Sequence, residues 1–457
     1  MKRMKRAAMP TTILTILLAL MIMLTAAGCS TTNVMSQGGS AEELFGAMED
    51  DLFGAGEQVY YTLNVSLPRH AGYAMIEDKV AYATLDTEAQ RTAYATIEER
   101  VFQVTNEAGG SNGRYALRRM ELPDLTSGEI LKVKEAVLAD HPEVFWVLNN
   151  YSLGYNLHDG HYMVMYTNYS HTELEERINA LEAGVAQALR EIPSGLNEYD
   201  RELLIHDILV RDVTYDVEAV EAEIVFSDAS TSYGALVDRK AVCSGYAHAA
   251  KILLNRVGMS CTMVKGISND EAHMWNLVKV DGKWYHLDIT WNDPVSYTAS
   301  GSRIYDYFNL SDAYIAYDHS IADNYDMLTD ELIASQEQPE DGYFFNFDLP
   351  ECNSTDANYY ERNAVPINTL SDDSVKTIGN LMTTMSRTQE ETVYLQFPLS
   401  MDREVIEVWL DAALVEAMRI SNRSGSGTRI ESCSRTTKST GGQSWNNVYT
   451  VTLFYKQ

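Results

Sequence analysis

Three residues have the types and the spacing to hold a nucleophile and move its proton: Cys243, His273 and Asp288. Two of them lie in the stretch Ala272–Pro294, AHMWNLVKVDGKWYHLDITWNDP. Runs rich in Trp, Val, Leu, Ile and Tyr flank Asp281-Gly282, the signature of a β-hairpin with a two-residue turn. With that turn, Val280 pairs with Lys283, Trp275 faces Asp288 and His273 faces Thr290. Directly paired residues share a face of the sheet, and diagonal neighbours lie about 7–8 Å apart. The hairpin therefore sets the Asp288 carboxylate diagonal to the His273 imidazole. A carboxylate that holds an imidazole is one half of a catalytic device, and the other half is a nucleophile.

Cys243 supplies it. In Ser232–Ser260, SYGALVDRKAVCSGYAHAAKILLNRVGMS, the residues Tyr246, Ala250, Leu253 and Val257 recur at helical spacing and Gly258 provides the stop. Cys243 stands at the start of that helix, where unsatisfied N–H groups and the positive end of the dipole favour a thiolate. Alone, a free cysteine is more often a small buried apolar group. The conjunction of a helix-opening cysteine, a hairpin histidine and a diagonal aspartate favours chemistry instead. His248 lies about 140° around the helix from Cys243 and points away. His286 is taken as structural, and His206, in the helix Glu198–Val213, as a packed or surface residue. Trp275, Trp284 and Trp291 are core residues expected to wall the imidazole–carboxylate pair.

The surrounding elements read as an α+β protein. Helices are expected at Leu85–Val104, Ser127–Ala139 and Thr172–Glu191, and strands at Val144–Val147, Tyr151–Tyr155 and Tyr162–Tyr166. A further strand, Ile304–Leu310, follows the hairpin. Beyond Ala334 the composition turns Asn-, Ser- and Thr-rich. Helices follow at Ser371–Met385 and Arg403–Ala417, and strands at Val393–Phe397, Arg429–Cys433 and Val448–Tyr455. Domain borders are placed to give residues 41–195 as an N-terminal α+β domain, 196–330 as the core and 331–457 as a C-terminal α+β domain.

Residues Leu203–Ser320 resemble the transglutaminase-like superfamily, a papain-related fold with a Cys-His-Asp triad, as found in large exported bacterial members. The likeness rests on KAVCSGYA around Cys243, on AHMWNLVKVDGKWYHLD around His273, and on DITWNDP from Asp288. It extends upstream through IHDILVRDVTYD and SYGALVDRKAVC, and downstream through YDYFNLSDAYIAYDHS. It implies that Cys243 is the nucleophile, His273 the general base and acid, and Asp288 the residue that orients His273. The Cys243 N–H would contribute to an oxyanion hole. Animal tissue members place a tryptophan near the nucleophile to lend a second N–H; here Ser244-Gly245 follows Cys243, and Tyr233 is the candidate donor. The implied reaction is acyl transfer on amide or peptide bonds through a thioester, with hydrolysis favoured over transfer to an amine. The alternative is a non-catalytic surface lipoprotein that uses the same fold to bind peptide or glycan. The 28 tyrosines against 11 phenylalanines would suit such a surface.

The whole chain bounds these readings. A length of 457 residues calls for two or three domains. A net charge of −30 argues against nucleic acid as a partner. Residues 1–29 carry a basic start (Lys2, Arg3, Lys5, Arg6), an apolar run from Ile13 to Leu24, and Ala26-Ala27-Gly28-Cys29. This resembles a bacterial lipoprotein signal with Cys29 as the acylated residue. Residues 30–40 then form a flexible tether. The expected location is the extracytoplasmic face of a membrane, with a protein or peptide, cell-wall material included, as substrate. Cys243, Cys261, Cys352 and Cys433 are too widely spaced for a zinc or redox motif, and no calcium loop is present, so no metal or cofactor is expected. Cys352 and Cys433 are the pair most open to a disulfide.

Overall fold

The structure, a computed structural model, describes residues 58–109, 113–156, 160–221, 227–293, 305–325, 345–440 and 443–456. The leader with Cys29, the tether and the composition change near Ala334 lie outside the described residues. The chain forms two compact units that interleave in sequence. One takes the described residues up to Asn64, Ala95–Leu125 and Trp146–Glu176; the other takes Val65–Tyr94, Thr126–Phe145 and Arg177–Gln457. The units interleave because segments distant in sequence fold together.

In the first unit, β1 (Tyr60–Thr62) pairs antiparallel with β2 (Gln103–Thr105). β3 (Tyr115–Ala116), β4 (Met120–Leu122) and β5 (Tyr151–Asn156) each pair with β6 (Gly160–Thr167). The hairpin of β5 and β6 sets Tyr151 opposite Met165. The helix expected over Leu85–Val104 is shorter: α1 spans Glu88–Arg100. Its apolar continuation joins a sheet instead, with the Phe102 carbonyl accepting from Leu63 N at 2.7 Å. The strand expected at Val144–Val147 is a run of turns. Its apolar residues are buried without ladder pairing, and Trp146 donates its indole N–H to the Val101 carbonyl at 3.0 Å.

The second unit holds the candidate residues. α2 (Ser127–Asp140) begins with a reciprocal capping box between Thr126 and Glu129. α3 spans His171–Arg190. α4 (Glu198–Asp212) is capped by the Asn197 side chain, which accepts from Asp200 N. Next, β7 (Thr214–Tyr215) pairs in parallel with β8 (Lys240–Ala241). α5 (Cys243–Arg256) follows and stops at Gly258, whose φ of +78° is the left-handed conformation a glycine adopts without strain.

β9 (Cys261–Ser268), β10 (Glu271–Val280), β11 (Lys283–Leu287), β12 (Phe308–Leu310) and β13 (His319–Ile321) form one antiparallel sheet in the order β12-β11-β10-β9-β13. α5 packs on β10. The turn at Asp281-Gly282 pairs Val280 with Lys283 and Asn276 with Leu287, as its sequence requires. The pairing ends there. Asp288 caps a short helix, α6 (Ile289–Asn292), so His273 pairs with Gly266 of β9 rather than facing Thr290.

Toward the C-terminus, α7 (Asp372–Thr388) and α8 (Arg403–Arg423) pack beside a sheet. Its strands are β14 (Val365–Pro366), β15 (Thr392–Gln396), β16 (Ile430–Thr440) and β17 (Gln443–Tyr455), in the order β14-β15-β17-β16. Ile378, Leu395, Phe397, Leu410 and Tyr449 are buried in a core here. Cys433 lies on β16, whereas Cys352 is buried with Val264 and Trp275, and both are free thiols rather than the expected pair.

Candidate active site

Cys243 is the first residue of α5 and is half-buried. The residue before it, Val242, has extended backbone and no side-chain acceptor, so it cannot cap the helix as Ser, Thr, Asn or Asp would. The first-turn N–H groups therefore lack the usual capping oxygen at the positive end of the helix dipole. Val242 N donates to the Ala229 carbonyl at 2.9 Å, fixing the entry to the helix. A side chain at Gly245 would put its Cβ 2.4 Å from that same Ala229 carbonyl, so only glycine lets the first turn sit this close.

His273 enters from β10 and Asp288 from the end of β11. His273 Nε2 donates to Asp288 Oδ2 at 2.7 Å, and Asp288 is wholly buried. Asp288 Oδ1 accepts from Trp291 N at 3.0 Å, and Asp288 N donates to the Tyr307 carbonyl at 3.0 Å. The carboxylate is thus held by backbone as well as by imidazole. Burial disfavours a charged His273. The Asp288 carboxylate and side-chain hydrogen bonds with Asp288 and Cys243 outweigh it and raise the imidazole to about 10. Asp288 shows the mirror image. Burial works against its ionisation, and the charge and hydrogen bonds of His273 and His319 hold it well below the ordinary carboxylate range. Because Asp288 engages Nε2, Nδ1 is the ring nitrogen left for the Cys243 thiol.

Indole rings wall the imidazole. Trp275 stacks on His273 with ring centroids 5.8 Å apart and planes inclined by 19°, and Trp291 meets it edge-on at 6.4 Å. Trp275 also donates its N–H to His286 Nδ1 at 2.9 Å, and His286 Nε2 pairs with Asp312 Oδ1 at 2.9 Å. Accepting at one nitrogen and donating at the other, His286 is a neutral link that anchors Trp275. Burial correspondingly lowers its affinity for a second proton. Trp284 packs on the periphery of this core, under Lys279, and is not a wall of the imidazole.

The remaining candidates sort by their neighbours. His248 Nδ1 pairs with the Ser244 carbonyl of its own helix at 2.6 Å, and burial lowers its pKa to about 4. His206 is buried against Tyr305 and Phe308. The Tyr233 ring lies between the Arg177 guanidinium, 3.8 Å from its centroid, and Phe145, at 5.0 Å. The charged groups that act on its phenol are Arg177, Asp238 and Asp228. Tyr215 is the tyrosine on which Cys243, Glu271 and Asp288 all act. It pairs with Ala241, two residues before the cysteine, and burial together with those charges raises it to about 12. Its place in VTYD, at the end of the segment Ile205–Asp216 upstream of the cysteine segment, is the signal that marks it in sequence.

One further residue belongs to the cluster. His319, at the start of the edge strand β13, sets its Nε2 3.1 Å from the same Asp288 Oδ2 that takes His273. Its Nδ1 is 2.6 Å from Asp318 Oδ1. No local spacing relates it to His273; only the sheet order brings it there. Among the described residues, two clusters have the donor types of a metal site: His273–Asp288–His319 and His286–Asp312–Cys352. In both, imidazole and carboxylate are already matched as donor and acceptor.

A cysteine opening a helix, an imidazole on the adjoining hairpin and a buried carboxylate bonded to it lie on one helix-plus-antiparallel-sheet core. Residues 186–289 match the model of the transglutaminase-like superfamily, and the chain carries a transglutaminase-like domain. Among solved structures it is similar to one described as a TGase, at 17% identity, covering 38% of this chain and 50% of that one with a TM-score of 0.23. It is also similar to a candidate cysteine protease from Cytophaga hutchinsonii, at 14% identity, covering 31% of this chain and 61% of that one with a TM-score of 0.20. The chain thus spans half the length of the first and 61% of the second. No curated protein matches it.

Proposed function

We propose that this protein is a thiol enzyme that transfers acyl groups from amide or peptide bonds through a thioester on Cys243, with water preferred to an amine as acceptor. The observation that carries the reading is the 2.7 Å bond between His273 and the buried Asp288. The thiolate is the form of a cysteine that attacks. Cys243 Sγ adds to the carbonyl carbon, and the Cys243 N–H faces the developing oxyanion. His273 gives its Nδ1 proton to the departing nitrogen as the C–N bond breaks, leaving a thioester. It then takes a proton from water, whose oxygen displaces sulfur and releases the acid. Asp288 keeps Nε2 protonated and the ring aimed at the thiol throughout.

The substrate class in this reading is protein or peptide, cell-wall material included, met at the outer face of a membrane to which acylated Cys29 anchors the chain. Among the described residues no helix is long and apolar enough to cross a membrane. Release of Cys29→Ser protein from host membranes tests the anchor.

A panel of fluorogenic peptide amides and glutamine-containing peptides tests the activity, with and without an added primary amine and with Cys243→Ala as control. Hydrolysis or amine incorporation that Cys243→Ala abolishes is the expected result. A wild-type protein that binds these peptides yet leaves all of them intact would instead favour the non-catalytic surface protein.

A further inference from the structure

We propose that His319 is a positioning residue that stays an imidazolium and, through Asp288, sets the proton affinity of the Cys243–His273 pair. The inference rests on the reading of Cys243, His273 and Asp288 as a thiol site. Its basis is a hydrogen-bond count. His319 Nε2 meets Asp288 Oδ2 at 3.1 Å and Nδ1 meets Asp318 Oδ1 at 2.6 Å. An ionised carboxylate only accepts, so an imidazole with a carboxylate at each nitrogen must donate from both and carry a charge.

The surroundings hold this state in place. Asp318 Oδ2 accepts from the Tyr307 hydroxyl at 2.7 Å, so the outer carboxylate is itself oriented. The His319 side chain is wholly buried, and the rings of Trp291 and Tyr307 lie 5.0 and 5.4 Å from its own. The titratable groups around it are Asp288, Asp318, His273, His286 and Tyr307, with Glu271 exposed beyond Ser268 in the sheet. Burial disfavours the charged His319 ring, but hydrogen bonds to Asp288 and Asp318 outweigh it and raise its proton affinity.

The consequence follows from one oxygen serving two cations. Asp288 Oδ2 takes both Nε2–H groups, so its charge is divided and its hold on His273 is weaker than in an isolated pair. A second buried positive charge therefore lies behind the His273 imidazole. Replacing His319 by glutamine keeps an N–H for Asp288 but removes the charge. Nearby cations depress the proton affinity of every group around them, so their loss raises it.

The test is alkylation of Cys243 by iodoacetamide across a pH series, read by peptide mapping. In His319→Gln the midpoint of the acid limb moves upward by roughly one pH unit. A variant slower at every pH but with an unmoved midpoint would reduce His319 to a packing role and overturn the proposal. A wild-type Cys243 that labels no faster than glutathione at any pH, and ignores His273→Ala, would instead overturn the thiol site and His319's role with it. Imidazole 15N spectra of histidine-labelled protein decide the matter should His319→Gln fail to fold. The ring with NOEs to Trp291 and Tyr307 is expected to keep both N–H groups above the pH at which an ordinary histidine, near pKa ~6.5, loses one. A single N–H on that ring would refute the charged state.

Discussion

Asn276 of β10 donates its side-chain amide to the Ala247 carbonyl of α5 at 3.0 Å, tying the strand that carries His273 to the helix that begins with Cys243. The bond bridges the two elements one turn into the helix and three residues along the strand from the imidazole. Asn276 is buried, and its amide also reaches the Thr262 carbonyl on β9 at 3.4 Å.

Asn276→Ala leaves two buried carbonyls without that donor. The expected loss is about 1–3 kcal/mol in urea unfolding. Cys243 alkylation should slow as well, since the thiol and the imidazole lose a shared reference point. Unchanged stability would show that strand and helix are held together by apolar packing alone.

Asp288→Asn should preserve the helix cap at α6, because an Asn side chain accepts from Trp291 N as Asp does. It should nevertheless lower turnover by roughly three to four orders of magnitude, because the amide no longer holds Nε2 protonated and aimed. Circular dichroism with a substrate assay checks both halves. Activity within tenfold of wild type would place the orienting role elsewhere.

The pH dependence of stability has a defined sign. His273 and His319 share the same buried Asp288 carboxylate, and the net effect on His273 is a rise from 6.5 to about 10 in the folded state. A group whose folded pKa is raised stabilises fully below its unfolded pKa, and the contribution fades as pH climbs through the folded value. Stability from this pair is therefore present near pH 6 and lost progressively between pH 6.5 and about 10. Depression of Asp288 reflects the same interaction seen from the other partner and adds no second window on the alkaline side. Chemical denaturation from about pH 6 to 10 should show wild type losing stability faster than Asp288→Asn. Parallel curves would contradict the assignment.

Gly266→Ala should be costly although its backbone φ is not in the left-handed region. The new Cβ would lie 2.5 Å from the Trp275 ring and 2.2 Å from the Ser320 carbonyl, and a backbone oxygen cannot rotate away. Gly266 pairs with His273 on one side and Ile321 on the other. Displacement would thus reach the Trp275–His273 stack and the β13 edge together. A loss of about 1–3 kcal/mol is expected from the overpacking alone. The Trp275 fluorescence maximum should shift as well, and a silent substitution would mean that β9 and β13 separate more easily than their pairing implies.

Much of the site was legible because it is local. The Asp281-Gly282 turn dictates a hairpin register through its own backbone preferences, and Val280 does pair with Lys283. The helical spacing after Cys243 and the glycine at 258 define α5 at both ends. What local signals cannot carry is the path of the chain beyond them. Asp288 leaves the ladder to cap α6, so the aspartate reaches His273 from a helix N-terminus rather than from a strand. His319 arrives through an edge strand that pairs with β9, and its competition for Asp288 exists only because the sheet order is β12-β11-β10-β9-β13. Tyr215 lies farther from the cysteine in sequence than Tyr233, the candidate donor. The parallel pairing of β7 with β8 brings the first toward Cys243, while Arg177 and Phe145 take the second. Spacing and turn chemistry act over a few residues and are written in the sequence. Which distant side chains share one buried carboxylate is decided by packing, where the cost of an unpaired buried charge selects the partners.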